Sequence, residues 1–274
     1  MNSAPVTNTR MECVAPVPAG EPDAPSPDQA SGACPPGREP SAPPCPDAAW
    51  LTTLLQTNDS FYPTGSYAHS FGLEGLVQEG VIRDRATLRE FLLRSVLPAL
   101  RQTELPLAAQ AWQALGSADW TRVGELCRLS SALKAPRELR AAAENIGRQR
   151  AELASSLHPY PLAQEYLRRA QAQSWPFSSA VSSALEGCVI GAPQAAVLSG
   201  VFYASVAAQL SAAMKMLRLG QNAAQALLTE ALTAAPVIIA AAEQVPFAEI
   251  GWFNPWLDIA AARHETADAR MFIS

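Results

Sequence analysis

One long stretch without charged residues, Val189 to Met214, constrains the fold more than any other feature of this sequence. Roughly 20 apolar residues suffice to cross a bilayer, so the stretch is either a membrane span or a helix packed inside a protein. Gln194, Ser199 and Gln209 would be costly in lipid, and much of the remainder is Ala and Gly, which suit close helix packing. The composition favours a buried central helix, with a membrane helix as the alternative.

The rest of the chain carries helix signals and no convincing strand. No two runs alternate apolar and polar residues around an Asn-Gly or Asp-Gly turn. The pattern predicts an all-α protein, a single compact multi-helix domain over residues 47–274. The expected helix boundaries are caps at Asp47, Asp84, Asp119 and Ser178 or Ser179, kinks or breaks at Pro98 and Pro106, a first-turn Pro136, helix ends near Gly187 and Gly220, and a new helix beginning at Pro236.

Residues 1–46 differ sharply in composition from this domain. They hold Pro, Ala, Ser, Gly and Asp with almost no large apolar side chain. Such a segment cannot bury enough surface to offset the entropy of ordering, so it is predicted to be a disordered Pro/Ala/Ser-rich leader. Cys13, Cys34 and Cys45 lie in it without Cys-x-x-Cys spacing, which favours reduced, unpaired thiols over the alternative of metal binding.

Charge and terminal composition exclude several classes of function. The net charge is −5 and no Lys/Arg cluster occurs, so the electrostatic footprint of a nucleic-acid-binding protein is missing. Pro5, Pro16 and Pro18 interrupt any apolar run of the kind a signal peptide needs. The chain is predicted to be cytoplasmic.

Catalytic motifs are also missing from the sequence. It contains three histidines, His69, His158 and His264, and none belongs to a nucleophile elbow, a zinc-protease helix or a nucleotide-binding loop. His69 precedes Ser70, but adjacent residues on a helix do not face each other. The sequence therefore predicts no enzyme, no cofactor and no metal site. A direct nickel contact at His69 is the alternative to a hydrogen-bonded histidine at a helix start.

The stretch from Leu51 to Glu74 carries the most local information. A helix with Trp50, Leu51, Leu54 and Leu55 at helical spacing is followed by a turn in which Gly65 permits a positive φ angle. Ser66 can then cap a second helix that continues to Gly80. On that helix Leu73, Leu76 and Val77 are expected in the core, whereas Tyr67, Ser70, Phe71 and Glu74 are expected to share a face that is free to bind something.

At these residues the chain resembles the UreF family of urease accessory proteins. The run from Pro63 through Gly65, His69-Ser70 and Gly72-Leu73-Glu74 resembles the family's opening motif, with Phe61-Tyr62 in place of a small residue and Phe. Three further segments resemble the family: Pro136 to Gly147, the long helix with Ser211, Lys215, Leu219-Gly220-Gln221 and Gln225, and the closing Arg270-Met271-Phe272-Ile273-Ser274. The family usually has Pro where Arg218 stands. The resemblance covers residues 50–274.

The resemblance implies a non-enzymatic urease accessory protein for nickel metallocentre assembly. Such a protein is a helical homodimer that holds the UreD (UreH) accessory protein and the GTPase UreG on apo-urease, and so couples GTP hydrolysis to nickel delivery. The implied partner-binding residues are Tyr67, His69, Ser70, Phe71, Glu74, Lys215, Gln221, Arg270, Met271, Phe272 and Ser274. The alternative is a GTPase-activating regulator that supplies Lys215 or Arg218 to the UreG active site.

The final residues, 264–274, are expected to fray in the isolated protein because nothing in their pattern ties them down. They nevertheless include three consecutive apolar residues, Met271, Phe272 and Ile273. Local packing and partner docking are both compatible with that pattern. The resemblance favours docking, since in the family this segment becomes ordered on binding UreD.

Overall fold

The computed structural model describes residues 48–265, 267 and 270–273 of the 274-residue chain. Every regular element within those residues is helical, which confirms the predicted all-α fold. The helices are α1 (Ala49–Asn58), α2 (Leu73–Gln78), α3 (Arg85–Phe91), α4 (Leu97–Gln102), α5 (Glu104–Gly116), α6 (Trp120–Ala132), α7 (Arg137–Leu157), α8 (Pro161–Ala172), α9 (Ser179–Ile190), α10 (Gln194–Met216), α11 (Gln221–Ala242) and α12 (Pro255–His264). The predicted leader, with its three cysteines, and the cap Asp47 lie outside the described residues.

Helix α9 lies at the centre of the core, between α5 and α7. Most of its side chains are buried, including Val181 and Leu185. Gly187 does not end this helix as predicted. A Cβ atom there would overlap Val197 Cγ2, so the glycine permits close packing against α10. The helix continues to Ile190 and ends at Gly191, whose φ of 73° is left-handed.

Helix α10 confirms the long apolar helix but is buried on one side only. Val197, Val201 and Phe202 face the core, whereas Tyr203 and Met214 are exposed. By length and composition α10 and α11 could each span a membrane, and 44% and 28% of their respective apolar windows are buried inside the fold. The central position that the sequence assigned to α10 is taken by α9, and both α10 and α11 present an outer face with few charges.

Three predicted helix caps are confirmed. The Asp84 carboxylate accepts the N–H of Thr87 at 2.8 Å, and the Asp119 carboxylate accepts that of Arg122 at 3.0 Å. Ser178 Oγ accepts the N–H of Val181 at 3.4 Å and begins α9. Each of these side chains satisfies a backbone donor that the first turn of a helix leaves unpaired.

The prolines act differently from one another. Pro98 follows a wider π-helical turn, Leu92–Val96, that joins α3 to α4, and Pro106 lies in the first turn of α5, where a missing N–H costs little. The prediction that Pro236 begins a new helix is wrong, because α11 runs through it. Pro236 and Leu232, the residue one turn earlier, are both exposed. Water can therefore solvate the Leu232 carbonyl that the proline leaves unpaired.

Helix α12 was not predicted. Asn254 begins it by accepting the N–H of Leu257 at 3.3 Å, and Pro255 occupies the first helical position. This Asn-Pro pair is a helix-start signal. Helix α12 packs against α2 and α7 and thereby brings the end of the chain to residues 63–74, here called the motif segment.

Candidate functional site

The motif segment between α1 and α2 contains more than one left-handed residue. Gly65 has the predicted positive φ, 79°, and leads into a short 3-10 helix, Ser66–Ala68. Phe71 and Gly72 then adopt φ angles of 53° and 85°, which a right-handed helix cannot contain. The predicted continuous helix from Ser66 is therefore wrong, and α2 begins only at Leu73.

This break changes which motif side chains lie together. Tyr67, Ser70, Phe71 and Glu74 do not share a helix face as predicted. Ser70 and Glu74 are buried, and Ser70 Oγ accepts the N–H of Glu74 at 3.3 Å. Tyr67 is exposed and Phe71 is half-buried. The buried carboxylate of Glu74, rather than an aromatic face, is the chemical centre of the motif.

The tail segment, residues 270–273, runs back to this carboxylate. The N–H groups of Met271 and Phe272 donate to Glu74 Oε1 and Oε2 at 2.7 and 3.0 Å, and the N–H of Ile273 donates to the Ala68 carbonyl at 2.9 Å. Phe272 is buried, but Met271 and Ile273 are 60% and 62% exposed. The expected fraying is wrong for these residues, which pack locally and still present two apolar side chains to the outside.

A buried histidine joins this site to α7. The side chain of His264 is 1% exposed, with Nε2 at 2.8 Å from Glu74 Oε2 and Nδ1 at 3.2 Å from Glu138 Oε2. Arg270 Nη1 donates to Glu138 Oε1 at 2.6 Å. Burial opposes ionisation of Glu138, but the hydrogen bonds from Arg270 and His264 outweigh it and lower the pKa of this carboxyl.

Lys215 closes the cluster from α10. Its Nζ lies 3.3 Å from the centroid of the Tyr67 ring and 4.9 Å from that of Phe272, and it donates to the Tyr67 carbonyl at 3.4 Å. These cation–π contacts direct the ammonium group onto the motif and the tail segment. We call Tyr67, Glu74, Glu138, Lys215, His264 and the tail segment the tail-binding cluster.

His69 lies beside this cluster and lines a neighbouring cavity of about 200 Å³ between α1, α10 and α11. Burial lowers the pKa of its imidazole, against an opposing effect of the Glu138 charge. Its ring centroid is 6.0 Å from that of Phe71. In the part of the chain that the structure describes, no group of three or more His, Cys, Asp and Glu side chains is placed to hold a metal ion.

One of the predicted partner-binding residues, Gln221, is not brought to this cluster by the structure. Gln221 begins α11 and is exposed. Ser274 lies outside the described residues. The partner-binding role of the whole set stays a prediction.

A second buried ionic site lies where α7 meets α9 and the last turn of α1. Arg150 Nη2 is 2.5 Å from Glu186 Oε2 and donates to the Thr57 carbonyl at 3.0 Å, which ties α7 to α9 and to the last turn of α1. The guanidinium carbon lies 5.7 Å from the centroid of the Tyr62 ring. Burial raises the pKa of Glu186 to about 7, against the lowering effects of Arg150 and the Tyr62 hydroxyl.

The two cysteines of the folded core are unreactive by position. Cys127 is buried and Cys188 is half-buried, and both are free thiols. Burial raises the pKa of Cys127 to about 11 and that of Cys188 to about 12. Neither sulfur carries the thiolate that nucleophilic or ligand chemistry requires.

Sequence reasoning missed His264, Glu138, Arg150 and Glu186. One signal was available for Glu186, which is the only charged residue between Trp175 and Met214. His264 and Glu138 gave no local signal, because they meet Glu74 only through the packing of α12 on α2 and α7.

Comparison with known proteins identifies relatives that match most of this chain and nearly all of their own length. The model of the UreF family matches residues 82–232, more than half of the chain. A urease accessory protein UreF from Azoarcus sp. (strain BH72) is 34% identical over 225 residues, which cover 82% of this chain and 95% of that protein. The chain belongs to the UreF family. UreF proteins of Methylibium petroleiphilum and Bacillus sp. (strain TB-90) are 33% and 28% identical over 86% and 82% of this chain, and 98% and 99% of their own lengths.

The region matched by the UreF family model does not contain the whole tail-binding cluster. Glu138 and Lys215 lie within residues 82–232, as do Arg150 and Glu186. Glu74, His264 and the tail segment lie outside that range.

Proposed function

We propose that this UreF protein is a non-enzymatic scaffold that holds UreD (UreH) and the GTPase UreG on apo-urease in the cytoplasm, with nickel as the cargo of the assembly. The observation that carries the proposal is the tail segment. Its backbone and Phe272 are fixed to the core, while Met271 and Ile273 remain exposed. A fixed backbone with outward apolar side chains suits protein recognition, because little ordering entropy is left to lose on binding.

The chemistry of the described residues supports a scaffold over an enzyme. The buried titratable groups pair with one another across helices, as Glu74 and Glu138 do with His264 and as Glu186 does with Arg150. These pairs join α2, α7, α9 and α12. Their contacts account for structure and require no substrate.

An exposed apolar surface at the start of α12 supports the proposed contact with UreD. Trp252, Phe253 and Trp256 are exposed where α12 begins, with Phe253 81% and Trp256 76% accessible. A groove of about 350 Å³ between α2, α3 and α12 is lined by Leu76, Ile82, Phe91 and Trp256 among others. Large exposed aromatic patches of this kind are typical of protein-binding surfaces. We propose that UreD covers this patch together with Met271 and Ile273.

The proposal is tested by removing residues 270–274. We expect the truncated chain to keep its helical circular dichroism but to lose retention of UreD in a pull-down with UreD, UreG and apo-urease. Urease activation in cells should fall in parallel. The matched control removes residues 1–46 and should leave binding and activation intact. Full retention of UreD by the chain without its tail would overturn this function for the tail segment.

The alternative of an activating basic residue is tested separately. The contacts of Lys215 with Tyr67 and Phe272 favour a structural role for it, whereas Arg218 is exposed between α10 and α11. We expect Arg218→Ala to leave the GTPase rate of UreG in the complex unchanged. A lower GTPase rate in a complex that still assembles would instead support the GTPase-activating regulator.

We also propose that two copies associate through the outer faces of α10 and α11. These faces carry few charges and include Tyr203, Leu232 and Val237, all exposed. Depletion of charge at the centre of a contact is typical of interfaces between copies of a chain. The alternative is that these faces bind a membrane. In that case the protein would stay with membranes after a salt wash.

A further inference from the structure

His264 is surrounded by charged groups on each element that packs against it. Its two ring nitrogens face the carboxylates of Glu74 on α2 and Glu138 on α7. Among the described residues, the other charged or titratable groups of this region include Arg270 in the tail segment, Lys215 and Tyr67 next to Phe272, His69 beside Glu138, and the ion pairs Arg137–Glu265 and Arg263–Glu79.

The two short contacts of the His264 ring indicate how many protons the ring carries. A neutral imidazole has one N–H donor and one lone pair, and a carboxylate only accepts. A neutral His264, whose side chain is 1% exposed, would therefore place a lone pair against a carboxylate oxygen. Such an unmade hydrogen bond at a buried charge is costly. Only the doubly protonated ring donates to both Glu74 and Glu138.

Both carboxylates are also the anchors of the tail segment. Glu74 accepts the N–H groups of Met271 and Phe272, and Glu138 accepts Arg270. Whichever contact a neutral ring gave up, one anchor would lose its partner or would have to take up a proton itself. Either change weakens what holds the tail segment.

We propose that His264, in its doubly protonated form, positions the tail segment, and that loss of one ring proton releases it. His264 is thus a positioning residue that acts through Glu74 and Glu138. The segment is held while both ring nitrogens carry a proton and is freed when one of these protons is lost. In this step one proton moves from the ring to solvent, and the hydrogen bond between the ring and one carboxylate is lost.

The experiment measures amide exchange on the intact isolated chain, with rates corrected for the intrinsic effect of pH. We expect protection of the Met271 and Phe272 amides to fall by at least about tenfold between mildly acidic and mildly alkaline pH, as loss of a hydrogen bond to a charged group implies. Long-range ¹H–¹⁵N spectra should show both ring nitrogens of His264 protonated while the amides are protected. A neutral-ring pattern with the amides still protected would overturn the proposal.

Variants separate the charge from a merely structural effect. His264→Gln keeps one donor and one acceptor but carries no charge, so protection should be low at every pH. The double variant His264→Gln with Glu138→Gln should restore protection and abolish its pH dependence, because an amide at 138 can donate to the amide oxygen at 264. The control His69→Gln should retain the native pH response. Native-like pH dependence in the single His264→Gln variant would refute the role of the ring proton.

This inference does not depend on which protein the tail segment meets. The readout is made without UreD, UreG or urease. Failure of the pull-down would leave it standing, and failure of the exchange experiment would leave the proposed scaffold standing.

Discussion

Among single residues outside the tail-binding cluster, Glu186 is a carboxyl group whose pKa is strongly raised. Its carboxylate lies 2.5 Å from Arg150, a contact that by itself favours the charged form. Burial is nevertheless the largest effect and raises the pKa to about 7 from 4.5. Desolvation therefore outweighs the ion pair, as is common for charges removed from water.

The raised pKa of Glu186 has a consequence for stability. Because the folded-state pKa is above the unfolded value, the folded protein holds a proton that the unfolded chain releases between pH 4.5 and about 7. The free energy of unfolding should thus fall as the pH rises through this window, with a slope of about 1.4 kcal/mol for each step of one in pH. Urea unfolding of the native chain and of Glu186→Gln checks this. The difference between them should change across the window and be flat above it, and parallel profiles would contradict the prediction.

Lys215 allows a sharper test of a single contact. Lys215→Met removes the charge above Tyr67 and Phe272 but keeps much of the apolar stem, so we expect a loss of about 0.5–2 kcal/mol in unfolding free energy. Lys215→Arg retains a cation and should recover most of it. Chemical denaturation measures both variants. Equal losses for Met and Arg would show that the size of the side chain matters rather than its charge.

At the scale of elements, Gly147 of α7 lies tightly against the backbone at the start of α9. A Cβ atom there would lie 2.5 Å from the backbone carbon of Ser178, at the start of α9. Backbone cannot move aside as a flexible side chain can, so Gly147→Ala must push α7 away from α9. Overpacking of this kind costs on the order of 1–3 kcal/mol.

The matched control is Gly116→Ala in the last turn of α5, where a Cβ meets nothing within 4 Å. Alanine favours helix over glycine, so this variant should be neutral or slightly stabilising. Thermal unfolding of the two variants gives the comparison. A Gly147→Ala protein as stable as the native chain would contradict the packing argument.

The element scale also shows what local sequence can predict. Caps such as Asp84 and Asp119 were found because they act on their own helix within three residues. The split before α2 was missed, since Phe71 takes a left-handed φ that its residue type disfavours. Tertiary packing explains it: a Cβ on Gly72 would lie 2.8 Å from Leu257 Cδ1 of α12, so the break fits a helix that was itself not predicted.

For the candidate site, prediction from the sequence is limited by how far apart its residues lie along the chain. The motif residues and the tail segment were singled out separately, but their meeting at Glu74 was not predicted. Glu74 and His264 are 190 residues apart, and Glu74 and Phe272 are 198 apart. No local pattern indicates such a pairing, which depends on where α2, α7 and α12 pack.

At the scale of the whole molecule, the proposed association of two copies makes a direct prediction. Val237→Glu places a charge on the outer face of α11, where Val237 is 76% exposed, and should shift the protein to monomer because an unpaired charge in an interface is costly. Leu157→Glu at the exposed end of α7 is the control and should not. Light scattering at high micromolar protein concentration measures the molar mass of each variant. A native chain that is monomeric under these conditions would contradict the proposed contact.

The meeting of α2 with α12 and the tail segment also bears on the order of folding. Joining segments some 190 residues apart closes a very large loop, and contacts of that kind form late because the chain loses much freedom before it gains them. The central packing of α5, α7 and α9 spans shorter separations and can form first. The tail-binding cluster would then be the last part of the protein to assemble on refolding. Such a region is also among the first to open, without the rest of the core having to unfold.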